Sequence, residues 1–152
     1  MRRRCSDLRS LKTEGYREKI EYFETVTDLF AFGTVCDSAG NEYVLCDAAR
    51  RSFTPDMEIT DKTAYEAVEN HVHIADNVKK DEFERWCHIA DVLGSLLADR
   101  LRARFPQKNF SVFVTVSLHD SVIIRFHQNW KNEPPYYDVS LPCGDGEYLA
   151  AF

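Results

Sequence analysis

The sequence predicts an α+β fold, with an antiparallel sheet built from two β-hairpins packed against one long and one shorter helix. Two stretches dense in Val, Phe, Tyr and Thr, each folded about a turn-forming cluster, place the hairpins at about 29–47 and 110–130. Between them, residues 79–104 repeat apolar side chains at spacings of three and four, the pattern of an amphipathic helix. No strand–helix–strand alternation points to a doubly wound sheet. The 152 residues suit one domain. Its expected ends are a frayed start at 1–5 and an irregular C-terminal arm at 131–152.

In chain order, Tyr16, Ile20, Phe23 and Thr27 share one face and predict a helix over 16–27. The first hairpin turns near Ser38-Ala39-Gly40-Asn41, where Gly40 and Asn41 tolerate positive φ. That turn sets Cys36 opposite Tyr43 and Val35 opposite Val44. Both faces are then apolar, which calls for cover on both sides. Residues 49–61, with Pro55 and Asp56, read as irregular. A shorter helix is expected over 62–76, with Thr60 or Asp61 as N-cap and a buried stripe of Tyr65, Val68, Val72 and Ala75.

The long helix buries Phe83, Trp86, Cys87, Ala90, Leu93, Leu97 and Leu101, with Ile89, Val92 and Leu96 widening the stripe. Asp81 and Glu82 are expected in its first turn and Arg100, Arg102 and Arg104 in its last, each complementing the helix dipole. Pro106 stops it. In the second hairpin a three-residue loop, Leu118-His119-Asp120, sets Val116 opposite Val122, Val114 opposite Ile124 and Val112 opposite Phe126. That register puts all six on one face. Ser111, Phe113, Thr115, Ser117, Ile123, Arg125 and His127 fall on the other face. The arm carries Pro134-Pro135-Tyr136-Tyr137 and is expected to dock through Tyr148, Leu149 and Phe152.

Charge and composition exclude several classes. There are 25 acidic and 19 basic side chains, a net charge of −6. A general nucleic-acid coat needs the opposite balance. The five cysteines are odd in number and include no C-x-x-C pair, so a zinc knuckle, a thioredoxin-like site and a disulfide scaffold are all disfavoured. Arg2-Arg3-Arg4 is followed by charged residues rather than an apolar run, and no stretch nears 18 apolar residues. The expected location is therefore the cytoplasm, away from any membrane.

No phosphate-binding glycine loop is present, and no cofactor is expected. His71 and His73 form an H-x-H pair, but two positions apart on the expected helix is about 200° of rotation, so no shared metal is expected. If the protein is an enzyme, the candidate catalytic residues are His119, Asp120 and His127, a base with a carboxylate to orient it, in a hydrolase. No G-x-S-x-G or comparable framing accompanies them, so the reading leans away from catalysis.

The favoured expectation is a small acidic binding protein, most sharply a stoichiometric inhibitor such as a bacterial toxin-immunity protein facing a basic toxin domain. Candidate contacts are Asp81, Glu84 and Asp91 on the long helix. Phe113, Arg125, His127, Trp130 and Tyr136 form a second set on the outer face of the second hairpin, rich in residue types that dominate interface hot spots. A small-ligand sensor module is the further alternative. The stretch from Asp56 to Asp91 holds more than twice as many acids as Lys and Arg, which makes the acidity regional.

Overall fold

A computed structural model describes residues 26–152. The fold is α+β, and its hairpins belong to two antiparallel sheets, one of two strands and one of four. The helix expected over 16–27 lies outside the described residues except at its end. There, residues 26–29 are helical and Leu29 is buried in the main core.

β1 (Phe32–Cys36) and β2 (Glu42–Cys46) make the small sheet. Its register corrects the expected one: Val35 faces Tyr43 and Cys36 faces Glu42. The cause lies in Asp37, which the turn takes in. Its carboxylate accepts from the Asn41 backbone N–H and side-chain amide, both at 2.8 Å, and from the Tyr43 hydroxyl at 3.0 Å. The loop gains a residue and the pairing slips by one, exchanging the faces of one strand relative to the other. The hydrogen bonds from Asn41 also hold the Asp37 carboxyl below the usual carboxylate range. β2 is covered on both sides, as its composition requires. Val44 and Cys46 enter the main core, while Tyr43 and Leu45 enter a second cluster with Phe53, Tyr65 and Trp130.

The first part of the stretch read as irregular is helical: α1 (Asp47–Ser52) leaves β2 directly. α2 (Lys62–Glu69) starts on the Asp61 cap, whose carboxylate accepts from the Ala64 N–H at 2.7 Å. The expected helix over 62–76 is corrected here. It ends at Asn70, and His71–Asp76 is a strand, β3, antiparallel to β5. His71-Val72-His73-Ile74 alternates polar and apolar, and an open edge of β5 rewards that period with ladder hydrogen bonds. The buried face of α2 is Thr63, Glu66 and Ala67, while Val68 is exposed.

α3 (Phe83–Arg104) starts later than position 79, so Asp81 and Glu82 precede the helix rather than occupy its first turn. Its stripe is narrower than expected, because Val92 and Leu96 are 47% and 52% exposed. At Gly94 a Cβ would lie 2.7 Å from Val114 Cγ1, so the missing side chain lets α3 approach the sheet.

β4 (Phe110–Ser117) and β5 (Ser121–Gln128) pair in the expected register, Val116 with Val122, Val114 with Ile124 and Val112 with Phe126. All six are fully buried against α3. The three-residue loop closes with His119 at φ 63°, a left-handed conformation that His tolerates better than most residues. The arm expected to be irregular ends in a further strand, β6 (Glu147–Ala151), paired with β4. The four-stranded order is β3-β5-β4-β6, and its inner face with α3 forms the main core.

Candidate functional site

Three features stand out beyond the main core: a buried polar joint between the sheets, a cleft under the C-terminal arm, and an acidic end.

The joint is built by α2. Glu66 is fully buried and has no cation against it among the described residues. Its Oε1 accepts from the Val44 N–H at 2.8 Å and the Gln128 side-chain amide at 2.7 Å, and its Oε2 from the Gln128 N–H at 2.7 Å and the Trp130 indole at 3.0 Å. One turn later, the Asn70 amide donates to the carbonyls of Val44 and Phe126, and its oxygen accepts from the Cys46 N–H. Positions i and i+4 share a helix face. These two side chains therefore take the place of a strand between β2 and the far end of β5, satisfying backbone groups that would otherwise be buried unpaired. Burial pushes the Glu66 carboxyl up from its ordinary value, and the donors from Gln128, Val44 and Trp130 pull against that. Each oxygen accepts two of these bonds.

The cleft lies on the outer face of the four-stranded sheet. The arm crosses that face and covers Phe113 and His127. Phe113 and His127 are 2% and 1% exposed, with Tyr137 stacked edge-on to Phe113 at 5.4 Å. His127 is fixed at both nitrogens: Nδ1 lies 2.8 Å from the Gln128 carbonyl and Nε2 accepts from the Tyr136 N–H at 3.2 Å. Burial holds its pKa below the usual imidazole value, so the ring is neutral and acts as the arm's anchor.

Beside it, the Arg125 guanidinium sits 5.2 and 5.3 Å from the Tyr136 and Tyr137 ring centres, in cation–π contact with both. Its Nε is buried without a hydrogen-bond partner. Arg125 borders a cleft of about 370 Å³ with Thr115, Ile123 and Cys143, and the carboxylates of Asp120, Asp138 and Glu147 also line it.

The acidic end forms where three connections meet. The Val78 N–H donates to the Asp120 carbonyl, the His119 N–H to the Val78 carbonyl, and the Leu118 N–H to the Gly146 carbonyl. These bonds tie together the start of α3, the β4–β5 loop and the turn into β6. Asp81, Glu84, Asp120, Asp145 and Glu147 stand exposed there. Of these, Asp81 and Glu84 line a groove of about 450 Å³ with Lys80, Phe83, Leu118 and Gly146. Arg100, Arg102 and Arg104 occupy the opposite end of α3, about 33 Å away for 22 residues.

A family match covers residues 46–141, close to two thirds of the chain. The chain belongs to the uncharacterized protein PM0498 family. The PM0498 family segment begins at the last residue of β2 and ends in the arm, so it contains Glu66 and Asn70 but not Val44 of the joint, together with α3, the second hairpin and the arm's cover. β1 and β6 fall outside it. Neither a curated protein nor a solved structure matches the chain.

Within the family segment, the residues singled out from sequence fall in different surroundings. Asp81 and Glu84 are exposed on the acidic groove. Asp91 is half-buried and accepts from the Tyr148 hydroxyl at 2.7 Å, a bond that ties α3 to β6. Trp130 is held by Glu66 and stacks 5.3 Å from Tyr43. Phe113, Arg125, His127 and Tyr136 form one packed unit of sheet and arm.

His119 and Asp120 are exposed in the β4–β5 loop, while His127 lies six residues along β5, about 20 Å away at strand rise. The fold does not bring the three together, and both His127 nitrogens are occupied. Glu66 and Asn70 were not singled out from sequence. The only signal was an acid and an amide four apart, which reads equally well as a solvated helix face.

Proposed function

We propose that the protein is a non-enzymatic, stoichiometric binding protein that works in the cytoplasm, and that its acidic end docks on a basic protein partner. A toxin-immunity role is the sharpest form of this reading. The carrying observation is the groove at the start of α3, where Phe83 and Leu118 sit with Asp81, Glu84 and Lys80. An apolar centre with a charged rim is the anatomy of a protein interface, and a mainly acidic end steers a basic partner into encounter. The joint and the arm's cover support the reading by using Glu66, His127 and Trp130 for structure, which leaves the exposed acids free for recognition. The test is co-expression with basic proteins encoded beside its gene, followed by size-exclusion chromatography. A 1:1 complex that Asp81→Lys/Glu84→Lys abolishes supports the proposal. A complex that survives the double reversal moves the docking surface elsewhere.

A second reading, a small-ligand sensor, is favoured by one observation: Arg125 lines a cleft of about 370 Å³. A guanidinium held between tyrosines suits a carboxylate or phosphate. Thermal-shift measurements with small carboxylates and phosphates, on the wild-type protein and on Arg125→Met, test it. A shift of the melting temperature that needs Arg125 supports a ligand site, and no shift with any of these anions removes it.

A further inference from the structure

The H-x-H pair stands differently in the fold than a helix would allow. His71 and His73 lie on β3, where residues two apart share a face. Both are exposed, and their ring centres are 5.6 Å apart. β3 is the outer strand of the four-stranded sheet, so the pair sits at an open edge.

Each ring is also oriented by a hydrogen bond at the same nitrogen. His71 Nδ1 bonds the Val68 carbonyl, and His73 Nδ1 bonds Asp76 Oδ1 at 3.0 Å. A carbonyl or carboxylate oxygen takes a hydrogen from the nitrogen it meets, so Nδ1 is the protonated position in both rings. The lone pair is left on Nε2 in both. This is the outer-shell arrangement that metal-ligating histidines use, with the far N–H donated to a carboxylate or a carbonyl.

The ring spacing is short enough for one ion to bridge both imidazoles. A ligating nitrogen at about 2.0–2.1 Å puts the imidazole centre roughly 3.2 Å from the metal, so two rings on one ion keep their centres within about 6.4 Å. The observed 5.6 Å is inside that limit.

We propose that His71 and His73 form a two-imidazole surface site for a divalent transition-metal ion of the Ni²⁺, Cu²⁺ and Zn²⁺ class. Imidazole suits these ions, whereas Mg²⁺ and Ca²⁺ take oxygen ligands. Among the described residues no group of three or more His, Cys, Asp or Glu gathers as a metal cluster. Water therefore completes the coordination sphere. Asp76 is a positioning residue that acts through His73.

The experiment is equilibrium dialysis of the full chain against Ni²⁺ at pH 7.5, with Mg²⁺ as a control and circular dichroism as a check on folding. One Ni²⁺ per chain is expected, with no retention of Mg²⁺. His71→Asn and His73→Asn should each weaken Ni²⁺ binding at least tenfold, while His88→Ala and His119→Ala leave it unchanged. Asp76→Asn should weaken it about tenfold with the fold intact, in the range that loss of an outer-shell partner costs. No bound Ni²⁺ overturns the proposal. So does binding that is lost with His88 or His119, or unaffected by substitution of both His71 and His73. Binding that follows both imidazoles but is indifferent to Asp76→Asn overturns the role given to Asp76.

Discussion

Replacing Glu66 by Gln keeps the shape of the side chain and removes its charge and half of its accepting capacity. In the native joint the carboxylate takes four hydrogen bonds, from Val44 N–H, both Gln128 donors and the Trp130 indole. The Gln oxygen can keep one pair of donors. Its NH₂ group then faces the other pair, donor against donor, in a fully buried place. Two buried donors left without an acceptor cost about 1–3 kcal/mol each. Relief from burying a charge without a cation offsets part of that. The expected loss is about 3 kcal/mol, roughly 10 °C in melting temperature at this chain length.

Urea unfolding at pH 7 by circular dichroism measures it, with tryptophan fluorescence reporting the Trp130 environment. A loss below about 0.5 kcal/mol would refute the claim that the carboxylate holds the two sheets together. The pH dependence carries a sign of its own. Because burial raises the folded pKa of Glu66 above its ordinary value of 4.5, the folded state binds the proton more tightly than the unfolded chain. The contribution of Glu66 to stability therefore falls as pH rises from 4.5 through the raised pKa and is flat above it. Glu66→Gln should remove that slope.

His127 has the opposite sign of pH dependence: its folded pKa lies below 6.5, so stability should decline as pH falls from about 6.5 toward the lowered value. The slope is at most about 1.4 kcal/mol per pH unit, and His127→Asn should abolish it in melts between pH 5 and 7. Gly94→Ala should destabilise by about 1–3 kcal/mol in the same unfolding assay, because its methyl would meet Val114 and the Phe152 ring, both at 2.7 Å. Cys36 and Cys143, both exposed, should react with a thiol reagent at pH 8 well before Cys46, which is buried and has its pKa pushed up to about 12.

The parts of the fold that were legible in the sequence are those where one period dominates. The second hairpin is the clearest case: six β-branched or aromatic residues can share a face in only one register, and that register is the one adopted. β3 was hidden because His71–Asp76 follows a capped helix without a break, and Val68, Val72 and Ala75 continue the helical spacing of three and four. Pairing with β5, a contact between residues some fifty positions apart, decides between the two periods.

The first hairpin slipped by one residue through Asp37 and Asn41. Their side chains lengthen the loop, and residue-by-residue turn preferences do not see such cross-bonding. β6 carries too little apolar alternation to stand out and exists because β4 offers an edge. The acidic region was legible as composition, but its narrowing to one end of α3 depends on backbone bonds among three connections distant in sequence. Glu66 was not legible at all, since a buried carboxylate and a solvated one look alike until its four donors are in place.

The central claim is that Asp81 and Glu84 make the recognition surface, and the association rate with the purified basic partner tests it most directly. Stopped-flow measurements over a range of salt should show the wild-type rate falling steeply as ionic strength rises. Asp81→Lys/Glu84→Lys should slow association at low salt by tenfold or more and flatten that dependence, with unfolding stability within about 0.5 kcal/mol of wild type, as exposed positions allow. A rate and salt dependence unchanged by the double reversal would contradict the account.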